Sequence, residues 1–301
     1  MKKISVILPC YNGEQWIGSS IRSVLGQSIQ EFELIIIDDG STDKSYDAVF
    51  PFLKDNRVRY FYQTNKGFSS AINRGIQESN CDLICFIGQD DLYIYNKLEL
   101  QLKYLDSNPN VDLIHSSYIE INEKEESLCI RNNHFPEFDT PAELITSLFI
   151  QNFIGFETVL IKRKCFEKYG LFDEQLTGFS DHDMWIRIAG GIKIGYVYYS
   201  LVKKRVHKNQ LSNAKASVIK DEFLLSKKAI EYYPFLNQSL KKKIAMLYYE
   251  TGIALLKEQK FKESKTNLKK ALKYQPFKLT ANIAYFFPRP FLFILKQLVK
   301  C

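Results

Sequence analysis

No stretch of this 301-residue chain approaches the roughly 18 apolar residues that a membrane-spanning helix requires. The best candidate, Phe286–Leu295, is interrupted by Pro288, Arg289 and Pro290. No export signal is expected either. Lys2 and Lys3 precede the apolar run Ile4–Cys10, but that run is short, contains Pro9, and meets Asn12, Gly13 and Glu14 without a small-residue cleavage site. The six cysteines (Cys10, Cys81, Cys85, Cys129, Cys165, Cys301) show no paired zinc spacing, so they read as free, mostly buried thiols of a reducing cytoplasm. No glycine-rich phosphate loop of the Walker or dinucleotide type is present, which argues against kinase, ATPase and dehydrogenase chemistry.

What is there is an ordinary globular balance, 46% hydrophobic and 25% charged, with a formal charge of +7. That average conceals an asymmetry. Residues 1–202 hold 19 Lys/Arg against 28 Asp/Glu, a net −9, whereas residues 203–301 hold 22 against 6, a net +16. Two parts with different work are expected, a domain over 1–215 and a basic helical region over 216–301.

The first half alternates strand and helix patterns. Ile4–Pro9, Phe32–Ile37, Val58–Tyr62 and Asp82–Ile87 are short apolar runs rich in β-branched residues, the mark of strands buried on both faces. Between them Glu14–Leu25, Ser45–Leu53 and Phe68–Glu78 have helical spacing, and Leu92–Leu105 is expected as a further helix. Such alternation predicts an α/β fold, a mostly parallel, Rossmann-like sheet with helices on both faces. Ligands of these sheets bind outside the carboxyl ends of the strands. Four polar clusters fall there: Tyr11-Asn12, Asp38-Asp39, Asn65-Lys66-Gly67 and Asp90-Asp91. One cluster would be a capping turn; four together predict a site.

The ordered pieces resemble the family 2 glycosyltransferases. They are Ile4–Asn12, Glu33–Asp43, Asn65-Lys66-Gly67 with Asn73 and Gly75, Phe86–Asp91, Gly178–Arg187 and Arg205-Val206-His207. The resemblance covers residues 1–212 and implies the nucleotide-diphosphosugar transferase fold called GT-A. It implies an inverting hexosyltransferase-type enzyme, with a nucleotide-diphosphate sugar as donor and a glycan or lipid-linked glycan as acceptor. Its expected setting is assembly of a bacterial surface polysaccharide such as O-antigen, capsule or exopolysaccharide. By the same resemblance Pro9, Tyr11, Asn12, Asp39, Lys66, Asn73 and Asp90 bind the donor, with Asp38 supporting the turn. Asp90, Asp91 and His207 are the expected metal ligands. A diphosphate brings negative charge to bare carboxylates, which calls for a hard divalent cation, Mn²⁺ or Mg²⁺. Gly88 stands where the family often has the first Asp of the motif. Asp181 is the expected general base, in a place where the family has an acidic pair whose first member is here Ser180; Asp183 is the less favoured alternative. Asp139, Glu143 and Glu157 are expected on the acceptor side without assigned roles. Lys203, Lys204 and Arg205 are expected either to contact phosphate or to be solvated.

Residues 216–301 read as helical and lysine-rich. Ala245–Pro276 fits one tetratricopeptide-like hairpin, with Gly252, Ser264, Leu268, Ala271 and Pro276 at the diagnostic places. The lysines are either a solvated face or a surface for anionic lipid headgroups, with Pro288–Leu298 lying in the interface; nucleic acid is not an expected partner. The expected location is cytoplasmic, either free or peripheral on the inner face of the plasma membrane. A non-catalytic nucleotide-sugar-binding protein and a nucleotidyltransferase on a related fold are the competing functions.

Overall fold

A computed structural model of the chain describes residues 3–131, 135–207, 215–257 and 259–274. It divides into two compact units, one formed by Met1–Ile145 with Asn152–Leu225, the other by Thr146–Gln151 with Ser226–Cys301.

The first unit is built on a nine-stranded mixed sheet flanked by helices. Its parallel half follows the buried apolar runs: β1 (Ile4–Cys10), β2 (Phe32–Asp38), β3 (Val58–Tyr62) and β4 (Leu83–Phe86), in spatial order β3-β2-β1-β4. Every residue of β1 and β2 is buried, as a strand covered on both faces demands. Side chains alternate between the two faces. Val6, Leu8, Leu34 and Ile36 pack with Ile17, Ile21 and Val24 of α1 (Ile17–Leu25), whereas Ile35 and Ile37 pack with Ala71 of α3 (Phe68–Glu78). The short α2 (Ser45–Val49) runs on into a 3₁₀ turn, Phe50–Phe52. Each such buried aliphatic side chain contributes about 1.5–3 kcal/mol, which makes this half the thermodynamic centre of the domain.

The segment expected as helix Leu92–Leu105 departs from its pattern. Leu92–Tyr93 forms β5, antiparallel to the late strand β9 (Ile194–Arg205), and the helix α4 starts only at Lys97 and ends at Ser107. Tyr93 is drawn into the sheet because its hydroxyl donates to the Phe86 carbonyl at 2.6 Å, while its amide donates to Ser23 Oγ at 3.0 Å. The contact with Ser23, 70 residues away, and the pairing with β9 override the local spacing. The rest of the sheet comprises β6 (Leu113–Ile121), the outlying β7 (Ser127–Arg131), β8 (Leu160–Lys162) and β9. Here β8 joins β4 and β6 antiparallel, and β9 lies parallel to β6. Helices α5 (Pro141–Ile150), α6 (Lys164–Tyr169) and α7 (Ser180–Ala189) occupy the connections.

Helix α8 (Lys215–Tyr232) runs through the expected domain boundary at 215/216 and spans both units. In the second unit α9 (Leu240–Lys257) and α10 (Phe261–Tyr274) form a helical pair. Ser264 Oγ donates to the Gly252 carbonyl at 2.7 Å, and a Cβ at Gly252 would stand 2.8 Å from the Leu268 side chain, so the small residues are what let the helices meet. Ala245 and Ala271 are buried between them. Pro276, Phe286–Leu295, Pro288–Leu298 and Cys301 lie outside the described residues. Among the described residues no helix is long and apolar enough to cross a membrane, and the five cysteines Cys10, Cys81, Cys85, Cys129 and Cys165 are free thiols.

Candidate active site

The loops after β1 and β2 are sewn together by short polar side chains. Asn12, in the left-handed region at φ 51°, accepts from the Thr42 amide at 2.8 Å through Oδ1 and donates its own amide to Ser41 Oγ at 3.0 Å. Asp38 accepts from the Ser41 amide at 2.8 Å and from the Tyr60 hydroxyl at 2.7 Å, which fixes the turn as expected. Neither Ser41 nor Thr42 caps a helix, because the cap position of α2 is Lys44. Gly40 is required twice over: its φ is 80°, and a Cβ there would sit 2.7 Å from the Asn65 amide nitrogen. Asp39, nearly fully buried, accepts from Gln63 Nε2 at 2.8 Å, the Lys66 amide at 2.9 Å and the Gly67 amide at 2.7 Å. A carboxylate has about four acceptor positions, so one is left for a ligand N–H.

The expected donor residues divide into two kinds. Tyr11 and Lys66 are exposed and Asn12 lies beside them in these loops. Pro9 is buried within β1, paired with Ile37. Asn73 is also buried: its amide donates to the Phe172 carbonyl and to Glu174 Oε1, both at 2.9 Å, and its oxygen accepts from the Phe172 amide at 2.9 Å. Its polar atoms are committed to tethering the 172–174 loop onto α3, so it serves as a structural tie where a donor contact was expected.

At the end of β4 the two adjacent aspartates part company. Asp90 is half-buried, and its Oδ2 stands 2.7 Å from His207 Nε2, whose ring packs on Trp16 with centroids 4.4 Å apart. Asp91 is buried and accepts from the Arg205 amide at 2.9 Å; desolvation foremost, then the charges of Glu157 and Asp90, holds its carboxyl well above the usual carboxylate range. The reading of Asp90-Asp91 as a helix cap fails, because the chain enters β5 and the cap position of α4 is Asn96. A Cβ at Gly88 would meet Asp91 Oδ2 at 2.6 Å and Asp90 Oδ1 at 2.9 Å, so both carboxylates close over the spot where a side chain at position 88 would emerge.

Among the described residues no group of three or more His, Cys, Asp or Glu side chains is placed to hold a metal ion by itself. The expected trio is therefore a pair, Asp90 and His207, with Asp91 turned into the protein. One carboxylate and one imidazole still suit a hard divalent cation that takes the rest of its shell from phosphate and water.

Arg205 locks this end of the site. Though nearly fully buried, it donates through Nε to the Asp90 carbonyl at 3.0 Å and through Nη1 to the Asn122 and Glu123 carbonyls at 3.2 Å, and it pairs with Glu125 at 3.1 Å. Lys204 is paired with the buried Glu157 at 2.9 Å. Both expectations for these two cations, solvation and phosphate contact, give way to internal pairing. Burial of that kind is stable only with a partner in place.

Asp181 lies in the first turn of α7, whose cap position is Phe179, with no side-chain cap. It is half-buried and accepts from Asn152 Nδ2 at 3.1 Å. Burial above all, with a smaller push from Glu157, raises its carboxyl from 3.8 to about 6, against the His182 amide, Lys204 and Asn152, which favour the charged form. An acid poised there takes protons readily near neutrality. Asp183 is fully buried and paired with Arg187 at 3.2 Å, which leaves Asp181 as the candidate base. The preceding loop is anchored by Asp221, which accepts from the Thr177 amide, the Thr177 hydroxyl and the Gly178 amide at 3.0, 2.7 and 3.0 Å.

Three residues escape sequence reasoning. Gln89 clamps both backbone groups of Tyr11, at 2.8 and 3.1 Å, and Gln63 and Asn152 align Asp39 and Asp181. Only Gln89 had a signal, its place beside Asp90 in a strand-end cluster.

The sequence profile of glycosyl transferase family 2 matches residues 5–170, more than half of the chain. An uncharacterized glycosyltransferase of Rickettsia bellii is 37% identical over 205 residues, spanning 68% of this chain but 29% of that longer protein. The chain thus covers under a third of that relative. The UDP-Glc:alpha-D-GlcNAc-diphosphoundecaprenol beta-1,3-glucosyltransferase WfgD of Escherichia coli is 27% identical over 226 residues, 73% of this chain and 83% of that one. Among solved structures, S. aureus TarS 1–349 in complex with UDP-GlcNAc superposes with a TM-score of 0.66 at 18% identity, covering 93% of this chain and 83% of that one. The likeness establishes a GT-A-like fold.

Proposed function

The chain belongs to glycosyl transferase family 2, and from that premise we propose that it is an inverting glycosyltransferase acting in surface-glycan assembly. It takes a nucleotide-diphosphate sugar as donor and passes the sugar to a hydroxyl of a lipid-linked or other glycan acceptor. The observation that carries this reading is the pairing of two unlike ends of one site: Asp181, a half-buried carboxyl raised to about 6, and Asp90 with His207 at 2.7 Å. The lipid-linked acceptor has the support of the E. coli relative's own substrate.

Asp181, aligned by Asn152, takes the proton of the acceptor hydroxyl as its oxygen attacks the anomeric carbon. Asp90 and His207 would hold Mn²⁺ or Mg²⁺, which when bound offsets charge on the leaving diphosphate. Asp39 offers its remaining acceptor position to the base of the donor, with Tyr11 and Lys66 exposed beside it. A single displacement inverts the anomeric centre. We place the enzyme on the cytoplasmic side, where thiols stay reduced, with the lysine-rich second unit against anionic lipid. The test is transfer from a panel of nucleotide sugars to a diphospho-lipid-linked acceptor with Mn²⁺, the product's anomeric configuration being read by NMR. Inversion is expected; retention, or release of pyrophosphate from a nucleoside triphosphate, would overturn the reading.

A further inference from the structure

We propose that Glu157 accepts a hydrogen bond from a hydroxyl of the transferred sugar and so selects which sugars the site takes. This rests on the donor reading given above and adds a residue to it. Glu157 lies in the 3₁₀ turn Phe156–Thr158, which is held rigidly. Phe156 stacks on Phe86 at 4.6 Å, the Thr158 hydroxyl donates to the Gly155 carbonyl at 2.7 Å, and Gln101 Nε2 donates to the Thr158 carbonyl at 2.7 Å. The side chain therefore starts from a fixed base.

Its two oxygens are treated differently. Oε1 accepts from Lys204 Nζ at 2.9 Å, but Oε2, in a residue only 7% exposed, has no hydrogen-bond partner among the described residues. A buried carboxylate oxygen without a protein donor takes its hydrogen bond from outside the chain, and a ligand hydroxyl can supply it. Position supplies the rest of the argument. Lys204, which pairs with Glu157, precedes Arg205, whose amide holds Asp91 at the end of β4 at 2.9 Å, and Asn152, five residues before Glu157, holds Asp181 at the head of α7 at 3.1 Å. In a single displacement the sugar ring lies between the leaving phosphate oxygen and the base. A carboxylate tied through its neighbours to both ends is placed to meet that ring. Lys204 cancels its charge, so the oxygen can accept from a hydroxyl without repelling the adjacent diphosphate. The ligand class implied is a neutral sugar with a free hydroxyl at the contacted carbon; a deoxy sugar there leaves Oε2 dry.

The experiment uses the full chain with Mn²⁺, comparing wild type with Glu157→Gln. Calorimetry measures binding of UDP and GDP alone, and kinetics measure kcat/KM for UDP-glucose, GDP-mannose and their monodeoxy analogues. Binding of the bare nucleoside diphosphate should stay within about twofold, while kcat/KM for the nucleotide sugar falls about 10- to 100-fold, the value of one charge-assisted hydrogen bond. One monodeoxy donor should lose that factor on wild type but not on the variant. Equal losses for nucleotide and nucleotide sugar, or monodeoxy penalties identical in both enzymes, would overturn the assignment. Should Glu157→Gln melt early, Glu157→Asp makes the same comparison, keeping the charge for Lys204 while withdrawing the oxygen. A wild-type chain that binds neither diphosphate overturns the donor reading, and this assignment with it; diphosphate binding without a sugar-dependent effect overturns this assignment alone.

Discussion

Replacing Asp181 by Asn should abolish transfer and yet leave a fold at least as stable as the wild type. The carboxyl is raised from 3.8 to about 6 chiefly by burial. With that value about a tenth of the molecules carry the base at pH 5 and about nine tenths at pH 7. Log kcat/KM should therefore climb with unit slope below pH 6 and level off above it. The amide cannot take the proton, so the variant should lose about 10²–10⁴-fold in kcat at pH 7.5, the usual worth of a positioned base. Stability runs the other way. An acid whose folded value lies above its unfolded one favours the fold when protonated, below about pH 4, and burdens it increasingly until it is ionised near pH 6. The shift itself corresponds to about 3 kcal/mol at most, and the water that reaches this partly exposed carboxyl reduces it to about 1. At pH 7.5 the Asn variant should thus melt about 2–4 °C higher than wild type, a difference that vanishes at pH 4. Removing Asn152, whose amide favours the charged form, should move the rising limb to higher pH. The assays are initial rates from pH 4.5 to 8.5 and calorimetric melting of the same proteins. A flat profile between pH 5 and 7, or an Asn variant with more than a tenth of wild-type turnover, would refute the reasoning.

Asp90→Ala and His207→Ala should each weaken the Mn²⁺-dependent thermal stabilisation by UDP about tenfold or more, and stabilisation that ignores both changes would remove the metal from this pair. Arg205→Met leaves the Asp90, Asn122 and Glu123 carbonyls short of a donor, and should cost about 2–4 kcal/mol in urea unfolding; an unmoved midpoint would contradict the packing described. Gly40→Ala forces a side chain onto a backbone at φ 80° and against the Asn65 amide, so it should cost about 1–3 kcal/mol and loosen nucleotide binding; equal melting points would show that the two loops can part freely.

The parallel half of the fold was legible because its central strands, β1 and β2, are buried on both faces. Such strands read as unbroken apolar runs, and β3 and α3 have the bounds that their patterns give. The second half was not. Leu92–Leu105 carries a helical spacing, but the Tyr93 amide is held by Ser23 and Leu92–Tyr93 pairs with β9, contacts that no local window contains. The site divides along the same line. Asp39, Asp90 and Asp181 stand in motifs and were named, whereas Gln63 and Asn152 are ordinary polar residues whose importance lies in what they touch 24 and 29 positions away. Lys204 and Arg205 misled for a related reason: a cluster of cations looks solvated until its partners are brought to it, Glu157 by the 3₁₀ turn and Glu125 by the turn between β6 and β7.

The late arrival of β9 has a consequence for how the protein is made. Asp91 meets the Arg205 amide across 114 residues, and Asp90 meets His207 across 117. At about 5–20 residues per second, a ribosome finishes β4 about 6–24 seconds before it delivers Arg205. Throughout that interval the parallel half can collapse on its own local contacts, but its carboxylates have neither the amide nor the imidazole that orders them. Activity is therefore a late event in biogenesis: a nascent chain halted before β9 lacks the amide and the imidazole that order its carboxylates.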